Sequence, residues 1–405
     1  MFILADDEGV SRLPFPDPVQ NLWRHLMMRS GHRLGLPLRD ENALSLLDSG
    51  SAILAATKAL IRGARGSICF EMYIWADDVV GQEIAALLVD AKNRGVDVRG
   101  VVDDLGTWGS AALLSNLDKA GIPLLRFHPV APWRRFRIMN RRNHRKLLIC
   151  DECEAIVGSA NWGLDYDEQT NPEAFLDEGV VLRGPIVKDL GEDFDKVWRR
   201  AGGGAFNRAD GADDAIWRGP WIEPITVQLV TSAGRRGTSA IRQHLRLLLS
   251  QVQRDLLIAN AYFVPGVRLT RLLCRAAKRG VVVQILVPGR SDSGFVQAAG
   301  RASYQKLLAS GVRIFERQGR MLHSKAGVFD EGLALVGSGN LDPRSFRLNL
   351  ELNLAIHNQE VAVELRRIFE KYRAESVEIQ AQTWTQRPWW RRAYEQFAYQ
   401  FRWLL

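Results

Sequence analysis

His144-Arg145-Lys146-Leu147-Leu148-Ile149-Cys150-Asp151 is followed, after six residues, by Gly158-Ser159-Ala160-Asn161. The same arrangement returns at His323-Ser324-Lys325-Ala326-Gly327-Val328-Phe329-Asp330 and Gly337-Ser338-Gly339-Asn340. Both stretches read H-x-K-x4-D-x6-G-S-x-N, a pattern too long to recur by chance in one chain. An apolar run follows each Lys, and a second one, Ala155 to Val157 or Leu333 to Val336, leads into the Gly-Ser pair. This is a strand, a turn and a partner strand. Residues two apart on a strand share a face, so each imidazole and ammonium point at one place. Ser and Asn arrive from the far end of the hairpin. Asp151 and Asp330 stand at odd spacing from the His, face away from it, and are expected to act in turns or salt bridges.

The duplication extends outward. Glu71-Met72-Tyr73-Ile74-Trp75 is echoed by Asn260-Ala261-Tyr262-Phe263-Val264, and Asp90-Ala91-Lys92-Asn93-Arg94-Gly95-Val96 by Arg275-Ala276-Ala277-Lys278-Arg279-Gly280-Val281. Ala120-Gly121-Ile122 pairs with Ser310-Gly311-Val312, and the three offsets are 189, 185 and 190 residues. A basic helix end, a C-cap glycine and a strand start explain the second and third echoes. Each half therefore runs strand, helix, strand, helix, strand, an α/β order with a mixed sheet flanked by helices. The expected organisation is an N-terminal extension over 1–41, a first half over 42–205, a second half over 206–380 and a tail over 381–405. Ala201-Gly202-Gly203-Gly204 and Arg208 to Asp214 read as the linker or a surface loop between the halves. Trp23, Leu26, Met27 and Met28 could form a short amphipathic helix.

Composition sets the outer limits. The 405 residues are 46% hydrophobic and 25% charged, values of a globular chain that exclude a disordered or fibrous one. Lys plus Arg is 54 and Asp plus Glu 46, and the net charge of +8 favours an anionic partner. Four cysteines are too few for a disulfide scaffold; Cys150 and Cys153 lack a second CxxC pair and read as packing residues rather than a zinc or redox pair. Asp6, Asp7 and Glu8 follow Met1 to Ala5 where an export signal needs basic charge, so no signal peptide is expected. No window offers the ~20 apolar residues of a spanning helix.

Two His, two Lys, two Ser and two Asn suit a phosphate diester. The cations and donors serve its equatorial oxygens, and the imidazoles serve opposite faces of phosphorus. A metal-assisted site would need carboxylates where the motif has lysine, so no metal and no cofactor are expected.

The doubled motif resembles the HKD signature of the phospholipase D superfamily over about residues 42–380. Trp75-Ala76-Asp77-Asp78-Val79-Val80-Gly81, Ala259-Asn260-Ala261-Tyr262-Phe263-Val264-Pro265-Gly266 and Gly337 to Ser345 continuing to Asn349-Leu350-Glu351 narrow the resemblance. They are similar to the bacterial cardiolipin synthase branch, in its short type without N-terminal membrane spans. The resemblance implies two pseudo-symmetric α/β halves with a single active site at their interface. It implies a phosphohistidine intermediate, with His144 as nucleophile and His323 as acid and base, an order that the pseudo-symmetry leaves reversible. Lys146, Lys325, Asn161 and Asn340 would hold the phosphoryl oxygens, with Ser159 and Ser338 in support. Asp177 and Glu351, at comparable strand starts, would orient the imidazoles from their far nitrogens; surface carboxylates are the other reading. The implied reaction is phosphatidyl transfer from phosphatidylglycerol to a second phosphatidylglycerol, with phosphatidylethanolamine as a further donor of the branch. Hydrolysis by a phospholipase D, nuclease action and an inactive membrane scaffold are the alternatives.

A lipid substrate implies contact with an anionic membrane surface, peripheral on the cytoplasmic face of the inner membrane, and no nucleic acid partner is expected. Two segments suit it. His128 to Lys146 carries seven basic residues and no acid: Arg134, Arg135, Arg137, Arg141, Arg142, Arg145 and Lys146, with Trp133, Phe136, Ile138 and Met139 interleaved. The tail holds four of the 12 Trp (Trp384, Trp389, Trp390 and Trp403) with Tyr394, Phe397, Phe401 and Leu404 at helical spacing and Arg391, Arg392 and Arg402 among them. Basic charge with interfacial aromatics is the composition of a helix lying in the headgroup layer. An ordinary amphipathic helix packed on the body is the competing reading.

Overall fold

The computed structural model describes residues 18–130, 140–205, 215–233 and 239–404. The first half comprises α1 (Pro18–Leu34), β1 (Leu38–Leu47), α2 (Gly50–Gly63), β2 (Ser67–Met72), α3 (Val79–Asn93), β3 (Asp97–Asp103), α4 (Ala111–Lys119), β4 (Leu124–Phe127), β5 (Leu147–Cys150), β6 (Glu154–Gly158), β7 (Gly179–Arg183) and α5 (Ile186–Arg200). The second comprises β8 (Ile222–Ala233), α6 (Ala240–Gln251), β9 (Asp255–Asn260), α7 (Val267–Lys278), β10 (Val282–Pro288), α8 (Gly294–Arg301), α9 (Tyr304–Leu308), β11 (Arg313–Arg317), β12 (Lys325–Phe329), β13 (Leu333–Gly337), β14 (Leu350–His357) and α10 (Gln359–Ala374). After them come β15 (Ser376–Glu378), α11 (Ala381–Thr385) and α12 (Trp389–Gln400).

All fifteen strands join one sheet, ordered β15-β11-β10-β9-β12-β13-β14-β8-β1-β7-β6-β5-β2-β3-β4. Apart from the edge strand β15, the order reads the same from both ends once β8 is matched to β1, β9 to β2, and so on to β14 and β7. The antiparallel pairing of β1 with β8 is the seam. Within each half three strands run parallel, and the motif hairpin, β5–β6 or β12–β13, lies antiparallel beside them. The helix stops repeat as well. Gly95 (φ 92°) and Gly280 (φ 96°) take the left-handed conformation that glycine adopts without a Cβ penalty. The next residues, Val96 and Val281, then bond back to the carbonyls of Ala91 (3.1 Å) and Ala276 (3.2 Å).

β5 and β12 are buried along their whole length, which is why their sequences are continuous apolar runs. One core crosses the seam beneath α5 and α10, and two more fill the opposite face, one per half. α1 docks on the second half: Trp23, Leu26 and Met27 are fully buried, with Trp23 edge-on to Phe329, while Met28 is turned out. β1 starts at Leu38, so this strand runs through the position expected to separate extension from first half. Arg208 to Asp214 of the expected linker lie outside the described residues. The four cysteines are free, and Cys150 is buried at the end of β5.

Asp151 and Asp330 close the two motif strands in matching ways. Both have positive φ, 53° and 48°. Asp151 accepts from the backbone N–H groups of Arg65, Gly66 and Ser67 at 2.7–2.9 Å, and Asp330 from those of Gln253, Arg254 and Asp255 at 2.7–3.0 Å. Each carboxylate thus fastens the motif strand to the start of the neighbouring parallel strand. It acts on the fold and stays away from the His. Asp330→Ala should cost about 2–3 kcal/mol, since three charge-assisted bonds that close the strand are lost. Urea unfolding measures it, and a change within the usual scatter of surface substitutions would contradict this role.

Candidate active site

The motif residues meet at the seam. Two parallel bridges cross between halves, Asn143 with Leu350 and Leu176 with Leu322. Through them His144 N–H donates to the Leu350 carbonyl (3.0 Å), and His323 N–H to that of Leu176 (2.8 Å). Each His backbone is therefore fixed beside the segment of the other half that carries a buried acid.

The side chains cross in the same sense. His144 Nδ1 lies 3.0 Å from Glu351 Oε2 and 3.1 Å from the Ser338 carbonyl. His323 Nδ1 lies 2.9 and 3.1 Å from the two Asp177 oxygens. Only oxygen acceptors surround each Nδ1, so the proton sits there and Nε2 keeps its lone pair in the neutral ring. Asp177 and Glu351 are fully buried, which removes the reading of them as surface carboxylates.

The two motif serines serve these carboxylates. Ser159 donates to Asp177, and Ser338 to Glu351 Oε2 (2.6 Å). Their hydroxyls thus act on the carboxylates that anchor the imidazoles. Glu351 also accepts from Ser345 Oγ (2.9 Å) and Asn349 Nδ2 (3.2 Å).

Lys146 and Lys325 are buried, and each donates to the carbonyl of its own motif His. Lys325 Nζ also sits 3.0 Å from His323 Nε2. Lys146 Nζ instead lies 5.0 Å from the centre of the Tyr73 ring. Asn161 is held by Ile74 N–H (3.1 Å) and donates to Tyr166 Oη (2.6 Å), whereas the buried Asn340 Oδ1 has no hydrogen-bond partner among the described residues.

The electrostatics mark a shared site. Burial pushes the His144 imidazole down to about 4, against the pull of Glu351 and with the further push of Lys146 and Lys325. His323 is also lowered, first by burial. Lys325 falls to about 8 through burial. Lys146 lies well below its ordinary value, from burial and then from the charge of Lys325 in the other half. Asp177 and Glu351 are held below the usual carboxylate range because their imidazole and lysine neighbours outweigh burial. The two imidazoles are therefore depressed together. Among the described residues no group of three or more His, Cys, Asp or Glu could hold a metal ion.

Sequence reasoning missed the aromatic lining. Tyr73 packs 4.7 Å from the His144 ring, and Tyr166 and Tyr262 lie 5.4 and 6.3 Å from that of His323. Tyr73 and Tyr262 occupy matching places in the first internal echo, a signal that was available; Tyr166 has no such counterpart. Two members of the basic run expected at a membrane are enclosed instead. Arg142 is paired with Asp103 (3.3 Å), and Arg145 with Asp193 (2.7 Å) and Glu71 (3.4 Å), all buried. With Lys146 in the site, these three cannot reach a bilayer. Trp133, Arg134, Arg135, Phe136, Arg137, Ile138 and Met139 lie outside the described residues.

Comparison with known proteins gives a consistent result. The family described as cardiolipin synthase, PLD-like domain, matches residues 57–198 and 245–373. Cardiolipin synthase B of Shigella flexneri is 33% identical over 343 residues, covering 81% of this chain and 79% of that protein. Cardiolipin synthase A of Yersinia pseudotuberculosis is 31% identical over 368 residues, covering 89% and 75%. The fold is that of the phosphatidylserine synthase structure from Haemophilus influenzae, with a TM-score of 0.68 over 94% of this chain and 99% of that one at 16% identity.

The imidazole of His144 should stay neutral down to about pH 5 in histidine-detected NMR, because its folded value is about 4. An unfolded His takes up its proton near 6.5. The unfolded chain therefore binds more protons in between. This group's contribution to stability is complete above about 6.5 and is lost as pH falls toward 4. A His144 midpoint near 6.5 would contradict the burial argument.

Proposed function

The chain belongs to the phospholipase D-like cardiolipin synthase family, and we propose that it joins two phosphatidylglycerol molecules into cardiolipin and glycerol through a phosphohistidine. The observation that carries this reading is the crossed anchoring of both imidazoles by Nδ1, which turns the Nε2 of each away from its carboxylate, that of His323 meeting Lys325. His144 Nε2, which has no hydrogen-bond partner among the described residues, attacks phosphorus. The bond from phosphorus to the terminal glycerol oxygen breaks, and protonated His323 gives that oxygen its proton. The hydroxyl of a second phosphatidylglycerol then loses its proton to His323 and attacks phosphorus. The phosphorus–nitrogen bond breaks and His144 is regenerated.

Both imidazoles are depressed by burial among lysines, so the bound substrate has to supply the missing charge. A phosphodiester anion placed between Lys146 and Lys325 offsets the push that these lysines add to burial in lowering His323, and favours the protonated form when the leaving group needs it. Lys146, Lys325 and Asn340, the last through its side-chain N–H donors, face the phosphoryl group in this reading. Asn161, engaged by Ile74 and Tyr166, holds the wall.

Membrane contact runs through the tail. Trp389, Trp390, Tyr394, Phe397 and Trp403 are each at least half exposed, while Ala398 and Tyr399 pack on α8 and Trp384 stacks on Tyr304. An aromatic ridge of this kind on a helix fixed to the body suits peripheral docking in the headgroup layer. Among the described residues no helix is long and apolar enough to cross a membrane.

Purified protein given phosphatidylglycerol vesicles should yield cardiolipin and glycerol by mass spectrometry. His144→Ala and His323→Ala should each lower the rate at least ~10³-fold, as loss of one member of a cooperating pair does. Rapid quenching should place an acid-labile phosphoryl adduct on the peptide holding His144. Phosphatidic acid without cardiolipin would replace transfer by hydrolysis, and an adduct on His323 would reverse the roles. Joint Trp389→Ala, Trp390→Ala and Phe397→Ala substitution should weaken vesicle binding, and unchanged binding would remove the ridge from the account.

A further inference from the structure

A cavity of about 480 Å³ opens between α6, the start of α7, the loop joining β13 to β14 and the end of α12. Its walls carry Arg242, Arg246, Arg268, Arg347 and Arg402, and among the described residues no side-chain carboxylate lines it. None of the motif His or Lys residues borders it. The volume falls within the range of small-molecule sites, roughly 300–1,000 Å³.

Cations gathered from four separate elements around one space repel each other, and an anion between them relieves that repulsion. The crowding is felt within the protein: burial, then Arg347 and Arg268, pull the Arg242 guanidinium below its ordinary value. A second feature points the same way. α7 begins at Gly266, which supplies no capping side chain, and Gly266, Val267 and Arg268 line the cavity. Among the described residues, the first-turn N–H groups of this twelve-residue helix therefore have no intrahelical or capping side-chain acceptor at the place where the arginines converge. Guanidinium forks and free amides together recognise phosphate oxygens. Apart from Gln243 and Gln400 the remaining wall is apolar, with Leu272, Phe346 and the exposed Trp403, which suits a group with a hydrocarbon part. Trp403 also belongs to the aromatic ridge and places the opening at the same surface.

We infer that this cavity binds the phosphate headgroup of an anionic phospholipid standing in the bilayer, at a site separate from the one containing His144 and His323. The inference rests on reading the chain as an enzyme of phospholipid membranes. It adds to that reading a headgroup clamp that selects acidic bilayers and holds the protein while substrate enters elsewhere.

The test is co-sedimentation of the full chain with phosphatidylcholine vesicles, with and without phosphatidylglycerol. The triple substitution Arg246→Ala, Arg268→Ala and Arg347→Ala is compared with Lys119→Ala, Lys196→Ala and Lys278→Ala, which removes equal charge from exposed positions elsewhere. The arginine triple should lose about tenfold or more in affinity for the phosphatidylglycerol vesicles, given the strength of each basic contact with an anionic leaflet. The lysine triple should lose much less, and binding to phosphatidylcholine alone should not distinguish them. Arg347→Glu alone serves if the triple fails to fold. Equal losses in the two triples would overturn the site. So would inorganic phosphate raising the thermal midpoint of the unmodified chain but not of the arginine triple, with no vesicle-specific loss, since the site would then serve soluble phosphate. A chain that binds acidic vesicles through these arginines yet makes no cardiolipin would sink the proposed reaction and leave the clamp standing.

Discussion

Two hydrogen bonds that cross the seam, Glu351 to His144 and Asp177 to His323, tie the rest of the structure together. Neither half can orient its own imidazole, because the acid that its motif serine holds points into the other half. Ser159 fixes Asp177 and Ser338 fixes Glu351, each within its own hairpin region, and the carboxylates then reach across. The site is in this sense a product of the β1–β8 pairing. Any shift in that seam would move each histidine relative to its carboxylate while leaving both motifs intact.

Such a seam carries a cost that the surrounding charges offset. Burying Asp177, Glu351, two lysines and two imidazoles together is unfavourable for each charged group alone. The carboxylates are stabilised by imidazole, serine and lysine neighbours, and the lysines are pushed down by burial, which the nearby carboxylates offset only in part. That shortfall faces the place where a phosphodiester would sit. Beneath the site, Arg142 with Asp103 and Arg145 with Glu71 and Asp193 hold the segment leading into the first motif strand. These arginines are part of the scaffold, although in sequence they belong to a run that looks made for an anionic surface.

Much of this was legible in the sequence. The repeated H-x-K hairpins gave the strands, the shared face and the two-half architecture, since alternation and apolar runs report directly on burial. Gly95 and Gly280 marked helix ends because only a positive φ explains glycine at both echoes. Asp177 and Glu351 were recognisable as orienters, but which histidine each would serve was not. That depends on the order of strands across the seam, a long-range contact with no local signature. The enclosure of Arg142 and Arg145 was hidden for the same reason, as Asp103, Glu71 and Asp193 are distant in the chain. Tyr166 reaches Asn161 from a short turn that nothing in its own sequence distinguishes. The clamp of five arginines collects residues spread from 242 to 402, and only the fold shows them as neighbours.

The crossing itself is best tested by imidazole nitrogen NMR on chains labelled at histidine, comparing Glu351→Gln with Asp177→Asn. The account predicts that Glu351→Gln moves the Nδ1 resonance of His144 and leaves that of His323 near its original place, while Asp177→Asn does the reverse. A Glu351→Gln chain whose perturbed ring is that of His323, the histidine of its own half, would contradict it.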